Sequence, residues 1–338
     1  MPLPVPATER APASSGQTGS AAILGCGSFL PDARVTNADL EQMVQTSDSW
    51  ILERTGIRER RRAGAGITAS TMAAAAGRAA MARAGVSSVD AIVVATSSPD
   101  TFIPPAACLV QRELGLPGVG AFDVNAACSG FVDAVIVGHG LVMSGAARTV
   151  LVAGAESLTR LVDYTDRATC VLFGDGAGAA VLGAVPTGGI VASCWGADGS
   201  QADLIYYGVP DGDPDGTEGL RMAGKGTFRL AVERMASICT DLCATARWRL
   251  EDVTCVVPHQ ANARIIEAVA KRTGVPIDRF VVNVDRLGNT GAASIALALA
   301  EAEVAGRFRD GDKVLLVAFG AGATWGGIAI EWTQTHRG

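Results

Sequence analysis

This sequence of 338 residues contains only three histidines, and charged residues make up just 18% of it. None of its eight cysteines has the Cys-x-x-Cys spacing of a zinc or redox motif. Cys239 and Cys243 lie one helical turn apart but have no histidine or second pair beside them. A zinc site is therefore not expected. We expect free, reduced cysteines in a cytosolic protein.

Long apolar segments are also missing. No run approaches the roughly 20 residues that a membrane-spanning helix needs, and residues 1–20 lack the apolar centre of a signal peptide. We expect those residues, which are rich in Pro, Ala, Ser and Gly, to form a disordered leader. The net charge of −6 gives no general attraction to nucleic acid or to an anionic membrane. An anionic ligand would therefore need a local basic patch.

One acidic segment could suggest calcium binding. The stretch Asp211–Gly219 is rich in Asp and Gly, but it lacks the spacing of an EF-hand loop. We expect a solvated surface loop there.

The rest of the composition is that of a compact globular enzyme, with 49% hydrophobic residues and 41 glycines. Helical and strand-like segments alternate, which predicts a mainly parallel sheet covered by helices. In the first half we predict helices at 71–84, 104–114 and 129–144, and strands at 91–96, 120–125, 148–155 and 178–182. In the second half we predict helices at 228–246, 261–273 and 292–305, and strands at 254–258, 280–284, 313–318 and 326–332.

The two halves therefore repeat one another in pattern. We interpret them as a weak internal duplication, with one unit at residues 21–183 and the other at 184–338. Two such halves can pack as one pseudo-symmetric body, so that the loops at the ends of their strands meet at a single site.

One cysteine lies at a turn with chemical potential. In Asn125-Ala-Ala-Cys-Ser-Gly-Phe131 a predicted buried strand turns into a helix at Cys128. The start of a helix stabilises a thiolate, so we expect a lowered pKa for this thiol. The small neighbours would let a substrate approach the sulfur closely. A lone cysteine among Ala and Gly is nevertheless more often structural, so its surroundings must decide.

The second half supplies candidate partners at similar turns. His259 follows the predicted strand 254–258, whereas His139 lies in an apolar helix and His336 in the C-terminal tail. Taken alone, His259 is as readily a capping residue. Asn289 lies in a glycine turn and can present an amide donor. The loop 319–325, Phe-Gly-Ala-Gly-Ala-Thr-Trp, could direct backbone N–H groups at a developing oxyanion.

Five motifs together resemble one known family. NAACSGF, FGDGAGAAVL, VPHQANARII, GNTGAAS and AFGAGATWG occur with the order and spacing of the β-ketoacyl-[acyl carrier protein] synthase III family of thiolase-fold condensing enzymes. The resemblance extends from about residue 22 to residue 332. It implies an α/β thiolase fold, in which duplicated βαβαβαββ halves form a five-layered αβαβα body.

The resemblance also implies a catalytic triad of Cys128, His259 and Asn289. Thiolases carry a second catalytic cysteine in the last glycine loop, where this chain has Gly320–Ala323. Elongating ketoacyl synthases use two histidines together with the cysteine. In this chain Asn289 occupies the position of the second histidine. Plant-type polyketide synthases share the triad but not the PHQAN context.

The implied reaction is a decarboxylative Claisen condensation of an acyl-CoA primer with a malonyl thioester carried by acyl carrier protein, through an acyl-Cys128 intermediate. Backbone N–H groups of Cys128 and Ala321 would form the oxyanion hole. His259 and Asn289 would donate to the malonyl thioester oxygen. Phe173 would line the site and disfavour a carboxylate there. No metal or other cofactor is implied.

Substrate and partner sites follow from the same resemblance. Trp50 and Arg167 would sandwich the adenine of CoA, with Arg54 and Thr55 beside it. Asn262 and Gly224 would contact the pantetheine, and Arg264 would contact the carrier protein. Ile103 would reach across a homodimer interface into the partner's acyl pocket.

The chain also departs from the family. Lys225 replaces a small polar residue that the family has near the CoA tunnel. Gly291 stands where the family frequently has Ser, and Ala323 where it frequently has an aromatic residue. The smaller residues indicate a roomier or differently shaped primer site, in fatty acid or polyketide synthesis. Three other functions remain open: an acyltransferase that moves the acyl group to an alcohol, amine or carrier without condensation, a catalytically dead partner subunit, and a cysteine hydrolase.

Overall fold

The computed structural model describes residues 20–209 and 218–333. The predicted leader lies outside these residues apart from Ser20, which begins the first strand. The predicted surface loop Asp211–Gly219 lies outside them apart from its last two residues.

Thirteen strands and nine helices are present in the described residues. The strands are β1 (Ser20–Phe29), β2 (Arg34–Thr36), β3 (Glu59–Arg61), β4 (Ala91–Ala95), β5 (Gly120–Val124), β6 (Thr149–Ser157), β7 (Asp175–Val185), β8 (Gly189–Ala197), β9 (Ile205–Gly208), β10 (Gly219–Met222), β11 (Cys255–Pro258), β12 (Lys313–Gly320) and β13 (Thr324–Glu331). The helices are α1 (Asn37–Glu41), α2 (Asp48–Thr55), α3 (Ala69–Ala84), α4 (Ala106–Leu114), α5 (Gly130–Met143), α6 (Gly224–Ala246), α7 (Ala263–Thr273), α8 (Val284–Leu287) and α9 (Ala293–Val304). Short 3₁₀ turns lie at Ala127–Ser129, Leu158–Arg160, Gly199–Leu204, Leu250–Asp252 and Ile277–Arg279.

Two large sheets carry the fold. The first has the order β1-β7-β6-β4-β5, with β4 parallel to β5 and β6, and β7 antiparallel to its neighbours. The second has the order β11-β12-β13-β8, with only the β11–β12 pair parallel. Beside β11, Phe280 forms a single bridge with Val256. With that bridge counted, both sheets have the same order, which confirms the predicted duplication of the fold.

The helices complete five layers. α3 and α4 cover the outer face of the first sheet, α5 and α9 lie between the two sheets, and α6, with α7 packed on it, covers the second sheet. α9 is almost entirely apolar because both of its faces are buried. It also lies very close to the first sheet. A Cβ at Gly154 would lie only 2.4 Å from the carbonyl oxygen of Ala292, so the site requires glycine. The predicted αβαβα body is confirmed.

The predicted strand at 280–284 is wrong. Apart from the Phe280 bridge the segment has no ladder, and Val284 already begins a short helix. The side chain of Gln260 takes the place of a neighbouring strand: its Oε1 accepts from the backbone N–H of Asn283 and Val284, and its Nε2 donates to the carbonyl of Val281. A buried side chain therefore satisfies backbone groups that a sheet would otherwise pair.

The division predicted between residues 183 and 184 lies near the end of β7, and it stays a prediction. None of the described helices combines the length and the apolar character that crossing a membrane requires.

Candidate active site

The turn that carries Cys128 has an unusual backbone. β5 ends at Val124, and the 3₁₀ turn Ala127–Ser129 leads directly into α5. Ala127 has φ 47°, a left-handed conformation that costs a residue other than glycine about 1–2 kcal/mol. The side-chain Oδ1 of Asn125 accepts from the N–H of Ala127 at 3.2 Å and stabilises this conformation. The turn thus fixes Cys128 at the start of α5.

The C-terminal glycine loop packs directly against this turn. The hydroxyl of Thr324 lies 3.0 Å from the carbonyl oxygen of Ala126 and 3.0 Å from the hydroxyl of Ser129. A Cβ added to Gly320 would lie 2.8 Å from the backbone nitrogen of Cys128. Glycine at this position therefore lets the loop approach the Cys128 turn at backbone distance.

The thiol of Cys128 is not activated in this structure. Burial raises its pKa to about 12, with a further contribution from the negative charge of Glu156, and the residue's own backbone N–H opposes the shift only partly. The expected lowering of the pKa by the start of the helix is therefore wrong. Desolvation, a property of the folded surroundings, outweighs the local dipole.

His259 is held as a neutral donor. Its backbone N–H donates to the carbonyl of Val317 at 2.8 Å, which fixes the residue at the end of β11. The ring is buried, and this burial lowers its pKa to about 4, so the imidazole is uncharged at neutral pH. Nδ1 is buried without a hydrogen-bond partner in the described part of the chain. The tautomer with hydrogen on Nε2 leaves only a lone pair unpaired, so Nε2 carries the N–H.

Asn289 is oriented by its own turn and by the first half of the chain. Its Oδ1 accepts from the backbone N–H of Gly291 at 2.9 Å, so the side-chain nitrogen is left as a donor. Its backbone N–H donates to the carbonyl of Leu172, and its carbonyl accepts from Gly174 N–H, at 2.8 and 3.0 Å. The backbone of Leu172 and Gly174, at the start of the FGDGAG segment, therefore positions Asn289.

A cavity of about 600 Å³ brings the predicted residues together. Cys128, His259 and Asn289 all line it. Of the other predicted contacts, the cavity is lined by Trp50, Arg54, Thr55, Phe173, Gly224, Asn262 and Arg264. Three predicted residues do not line it, namely Ile103, Arg167 and Ala321, although Gly320 beside Ala321 does. Lys225 lines it as well.

Most of the remaining wall is apolar, and sequence motifs gave no sign of it. The lining includes Val171, Leu172, Ile205, Met222, Phe228, Ala231, Met235, Ile265 and Phe319. These residues come from six different elements and loops, so no single segment shows the pattern. Such a wall suits an alkyl or pantetheine chain.

Two arginines stack on Trp50 near the cavity. The guanidinium carbon of Arg54 lies 4.8 Å from the ring centroid and that of Arg167 lies 4.6 Å from it. Arg167 also donates to the carbonyl of Gln45 at 3.1 Å. An aromatic base stacked between Arg167 and Trp50 needs them about 7 Å apart, so Arg167 would have to move by roughly 2–3 Å to admit one.

Two predicted contact residues use their side chains within the fold. Asn262 caps α7 by accepting from Arg264 N–H at 2.9 Å and donates to the carbonyl of Arg54 at 2.9 Å. The hydroxyl of Thr55 donates to Ile51 O at 2.7 Å. Their polar groups therefore shape the cavity wall.

The space beside Gly291 is filled. A Cβ there would lie 2.9 Å from Leu158 Cδ1 and 3.0 Å from Glu156 Cγ. Gly291 therefore does not enlarge the cavity. Glu156, which the motifs missed, occupies that space. Its only sequence signal is a carboxylate in the otherwise apolar run of β6.

In the described ranges, His, Cys, Asp and Glu side chains form no group of three that could hold a metal ion.

Comparison with known proteins gives consistent matches. A family model described as 3-oxoacyl-[acyl-carrier-protein (ACP)] synthase III matches residues 122–199, and its C-terminal counterpart matches residues 243–332. A beta-ketoacyl-[acyl-carrier-protein] synthase III of Xanthomonas campestris pv. campestris is 49% identical over 317 residues, covering 92% of this chain and 98% of the relative. One from Roseiflexus castenholzii is 48% identical over 324 residues, covering 93% and 98%.

Solved structures agree. The 3-oxoacyl-[acyl-carrier-protein] synthase III of Aquifex aeolicus has a TM-score of 0.88 at 42% identity, covering 92% of this chain and 100% of that one. The priming beta-ketosynthase from the R1128 polyketide biosynthetic pathway has a TM-score of 0.88 at 36% identity, covering 94% and 97%.

Proposed function

The chain belongs to the 3-oxoacyl-[acyl-carrier-protein] synthase III family of thiolase-fold acyltransferases, and we propose that it joins an acyl-CoA primer to malonyl-acyl carrier protein by decarboxylative condensation. The observation that carries this proposal is the meeting of Cys128, His259 and Asn289 in the wall of one cavity. The reaction would initiate fatty acid or polyketide synthesis, and it requires no metal or other cofactor.

In the first half-reaction the sulfur of Cys128 attacks the thioester carbon of the acyl-CoA. A bond forms between the acyl carbon and Cys128, the bond to CoA breaks, and CoA leaves as the thiol with the cysteine's proton. The N–H groups of Cys128 and Ala321 serve as the oxyanion donors. The close approach of Gly320 to the Cys128 backbone supports this assignment.

In the second half-reaction the malonyl thioester loses CO₂, and its bonding electrons pass into an enolate. His259 Nε2–H and the Asn289 side-chain N–H donate to the thioester oxygen as it gains charge. One such donor contributes about 3–4 kcal/mol to similar reactions. Two neutral donors stabilise an enolate without holding the malonyl carboxylate as an ion pair, and the apolar face of Phe173 disfavours that carboxylate. The enolate carbon then attacks the acyl group, and the released Cys128 thiolate takes up a proton.

Trp50, Arg54 and Lys225 line the same cavity as Cys128, and the CoA part of the substrate binds beside them. The adenine of CoA stacks between Trp50 and Arg167 once the latter moves, and Asn262 and Gly224 contact the pantetheine. Arg264 docks the acidic carrier protein, and Lys225 adds positive charge for a phosphate. These contacts supply the local basic patch that an acidic chain needs.

The protein acts as a homodimer in the cytoplasm. Support for the dimer comes from the loop between β4 and α4, where Phe102 is 99% exposed and Ile103 is 88% exposed. These two adjacent side chains form an exposed apolar patch that a second copy would cover. Ile103 would enter the acyl pocket of the second copy. The two duplicated units, residues 21–183 and 184–338, each provide one side of the active site.

The test is to incubate the enzyme with a panel of acyl-CoA primers and malonyl-acyl carrier protein, and to weigh the carrier by mass spectrometry. A 3-ketoacyl mass on the carrier supports the proposal and identifies the preferred primer. Cys128→Ala should abolish acylation, whereas Asn289→Ala should keep acylation but slow condensation by about 10²–10³-fold. Transfer of the unextended acyl group to the carrier would favour an acyltransferase without condensation. Release of free acid would favour a hydrolase.

A further inference from the structure

Glu156 is a buried carboxylate that the proposed mechanism does not use. It lies on β6 and is 1% exposed. Its oxygens accept from the hydroxyl of Ser98 at 2.5 Å and from Ser97 N–H at 3.1 Å, both in the turn after β4. They also accept from the N–H of Ala292 at 3.4 Å, at the start of α9. One side chain therefore joins three segments that are distant in sequence.

On one side this network reaches the turn of the nucleophile. The hydroxyl of Ser97 lies 3.2 Å from Oδ1 of Asn125, the same oxygen that accepts from Ala127 N–H. Ala127 has the left-handed conformation that places Cys128 at the start of α5. The position of the Ser97 turn, which Glu156 holds, is thereby linked to the position of the sulfur.

On the other side the network reaches the turn of the amide donor. Glu156 packs over Gly291, where a Cβ would meet its Cγ at 3.0 Å and its Oε1 at 3.1 Å. The N–H of Gly291 in turn orients the Asn289 side chain. A shorter or displaced carboxylate would leave a gap beneath this turn.

The charge of Glu156 acts on Cys128 as well. It opposes ionisation of the thiol, and burial raises the pKa of Glu156 itself to about 7. Arg160 is a charged group beside this network, and it donates to the carbonyl of Ser98 at 2.6 Å. The bonds that reach the carboxylate from the β4 turn and from α9 come from hydroxyl and amide groups.

We propose that Glu156 is a positioning residue of this active site, which holds the Cys128 turn and the Asn289 turn in register, and whose negative charge adds to the burial that keeps the Cys128 thiol protonated. The inference deepens the proposed condensing function. The reach of the Glu156 side chain and its negative charge can be tested separately with two conservative variants.

Glu156→Gln keeps the length of the side chain and removes the charge. The amide oxygen can still accept from Ser97 N–H and Ala292 N–H, and the amide nitrogen faces hydroxyls that can turn to accept. Glu156→Asp keeps the charge, but it is too short to fill the space over Gly291. The first variant therefore isolates the charge and the second isolates the reach.

The measurement is the rate of iodoacetamide alkylation at Cys128 across pH 6 to 8.5, by mass spectrometry of the peptide. Above a pH of about 7 wild-type Glu156 is charged and depresses the thiolate fraction, whereas below it the residue is neutral. The ratio of the E156Q rate to the wild-type rate should therefore be near one at pH 6. At pH 8.5 it should reach about three-fold or more.

Both half-reactions are then timed separately with E156D. We expect acylation of Cys128 and decarboxylation of malonyl-carrier protein to slow together, by about ten-fold or more, while E156Q stays within about three-fold of wild type in acylation. If E156D unfolds, Ser97→Ala cuts only the link to Asn125 and should slow acylation by about three-fold or more. An alkylation ratio that stays at one across the pH range would overturn the proposal. Wild-type rates for E156D in both half-reactions would also overturn it. If S97A is used in place of E156D, a wild-type rate of acylation would have the same meaning. The alkylation measurement needs no substrate. If the wild-type enzyme fails to condense its substrates, that failure therefore counts against the proposed function and leaves the alkylation result valid.

Discussion

Gly320 offers a sharp test of the contact between the two halves of the chain. It ends β12, and in Gly320→Ala the new Cβ would lie 2.8 Å from the backbone nitrogen of Cys128 and 2.9 Å from that of Ser129. An ordinary contact of this kind is about 3.5 Å, so the loop or the turn must move by roughly 0.7 Å. Both obstacles are backbone atoms, which cannot rotate away as a side chain can.

The expected loss follows from that displacement. A catalytic arrangement tolerates about 0.5 Å of misplacement, and the shift separates the two N–H groups assigned to the oxyanion hole. Loss of one such donor reduces kcat by about 10²–10³-fold. Overpacking should also lower the free energy of unfolding by about 1–3 kcal/mol.

Rapid quenching and mass spectrometry would measure acylation of Cys128, with thermal melting alongside. The matched control is Gly140→Ala, because Gly140 lies on α5 and has nothing within 4 Å of an added Cβ. The control should acylate normally and melt at the same temperature or slightly higher. An acylation rate for G320A within about three-fold of wild type would show that acylation does not depend on this close approach.

Three further predictions concern single residues. Because burial lowers the pKa of His259 from 6.5 to about 4, the contribution of His259 to the free energy of unfolding should fall by up to about 3 kcal/mol as the pH drops through that interval. Burial raises the pKa of Glu156 to about 7, so that carboxyl titrates in the same range, but it does so in wild type and in His259→Gln alike. Urea titrations at pH 7.5, 6 and 4.5 should therefore show the free energy of unfolding of wild type falling relative to that of His259→Gln, and a constant difference between the two proteins would contradict this. Thr324→Val should cost about 1–3 kcal/mol and slow acylation by loosening the loop on the nucleophile turn, whereas the exposed Thr245→Val should change stability by less than about 0.5 kcal/mol. Equal stability of both threonine variants in urea would be the contrary result. Arg167→Ala should raise KM for acyl-CoA about 5–30-fold through lost stacking, with kcat unchanged. It should not affect KM for an acyl-pantetheine substrate, which has no adenine. An equal rise in KM for both substrates would show that Arg167 does not bind the adenine.

The meeting of the candidate groups in one cavity could be predicted from local turns and the family resemblance together. Cys128 and His259 each follow a strand at a turn, but the strand predicted before Asn289 is absent, and only the resemblance implied that the three residues act as a triad. Their ionisation could not be predicted in the same way. The start of a helix suggested a low pKa for Cys128, but burial and the charge of Glu156 raise it, and both depend on segments far apart in sequence.

Two strands show the same limit. The segment 280–284 has the composition of a strand, yet the side chain of Gln260 takes the hydrogen bonds that a neighbouring strand would make. β8 was not predicted, because it lies at the edge of the second sheet and exposes Val191, Ser193 and Trp195 in place of a continuous apolar run. Both outcomes depend on tertiary partners, which override local preference.

A single-turnover experiment can follow the acyl group from Cys128 to the carrier protein. The enzyme is acylated with a labelled acyl-CoA, freed of excess substrate, and mixed with malonyl-carrier protein labelled in its free carboxyl group. We expect the label on Cys128 to disappear at the same rate at which labelled CO₂ and the 3-ketoacyl carrier form, in equal amounts. Loss of the acyl group from Cys128 without CO₂ release would contradict this expectation.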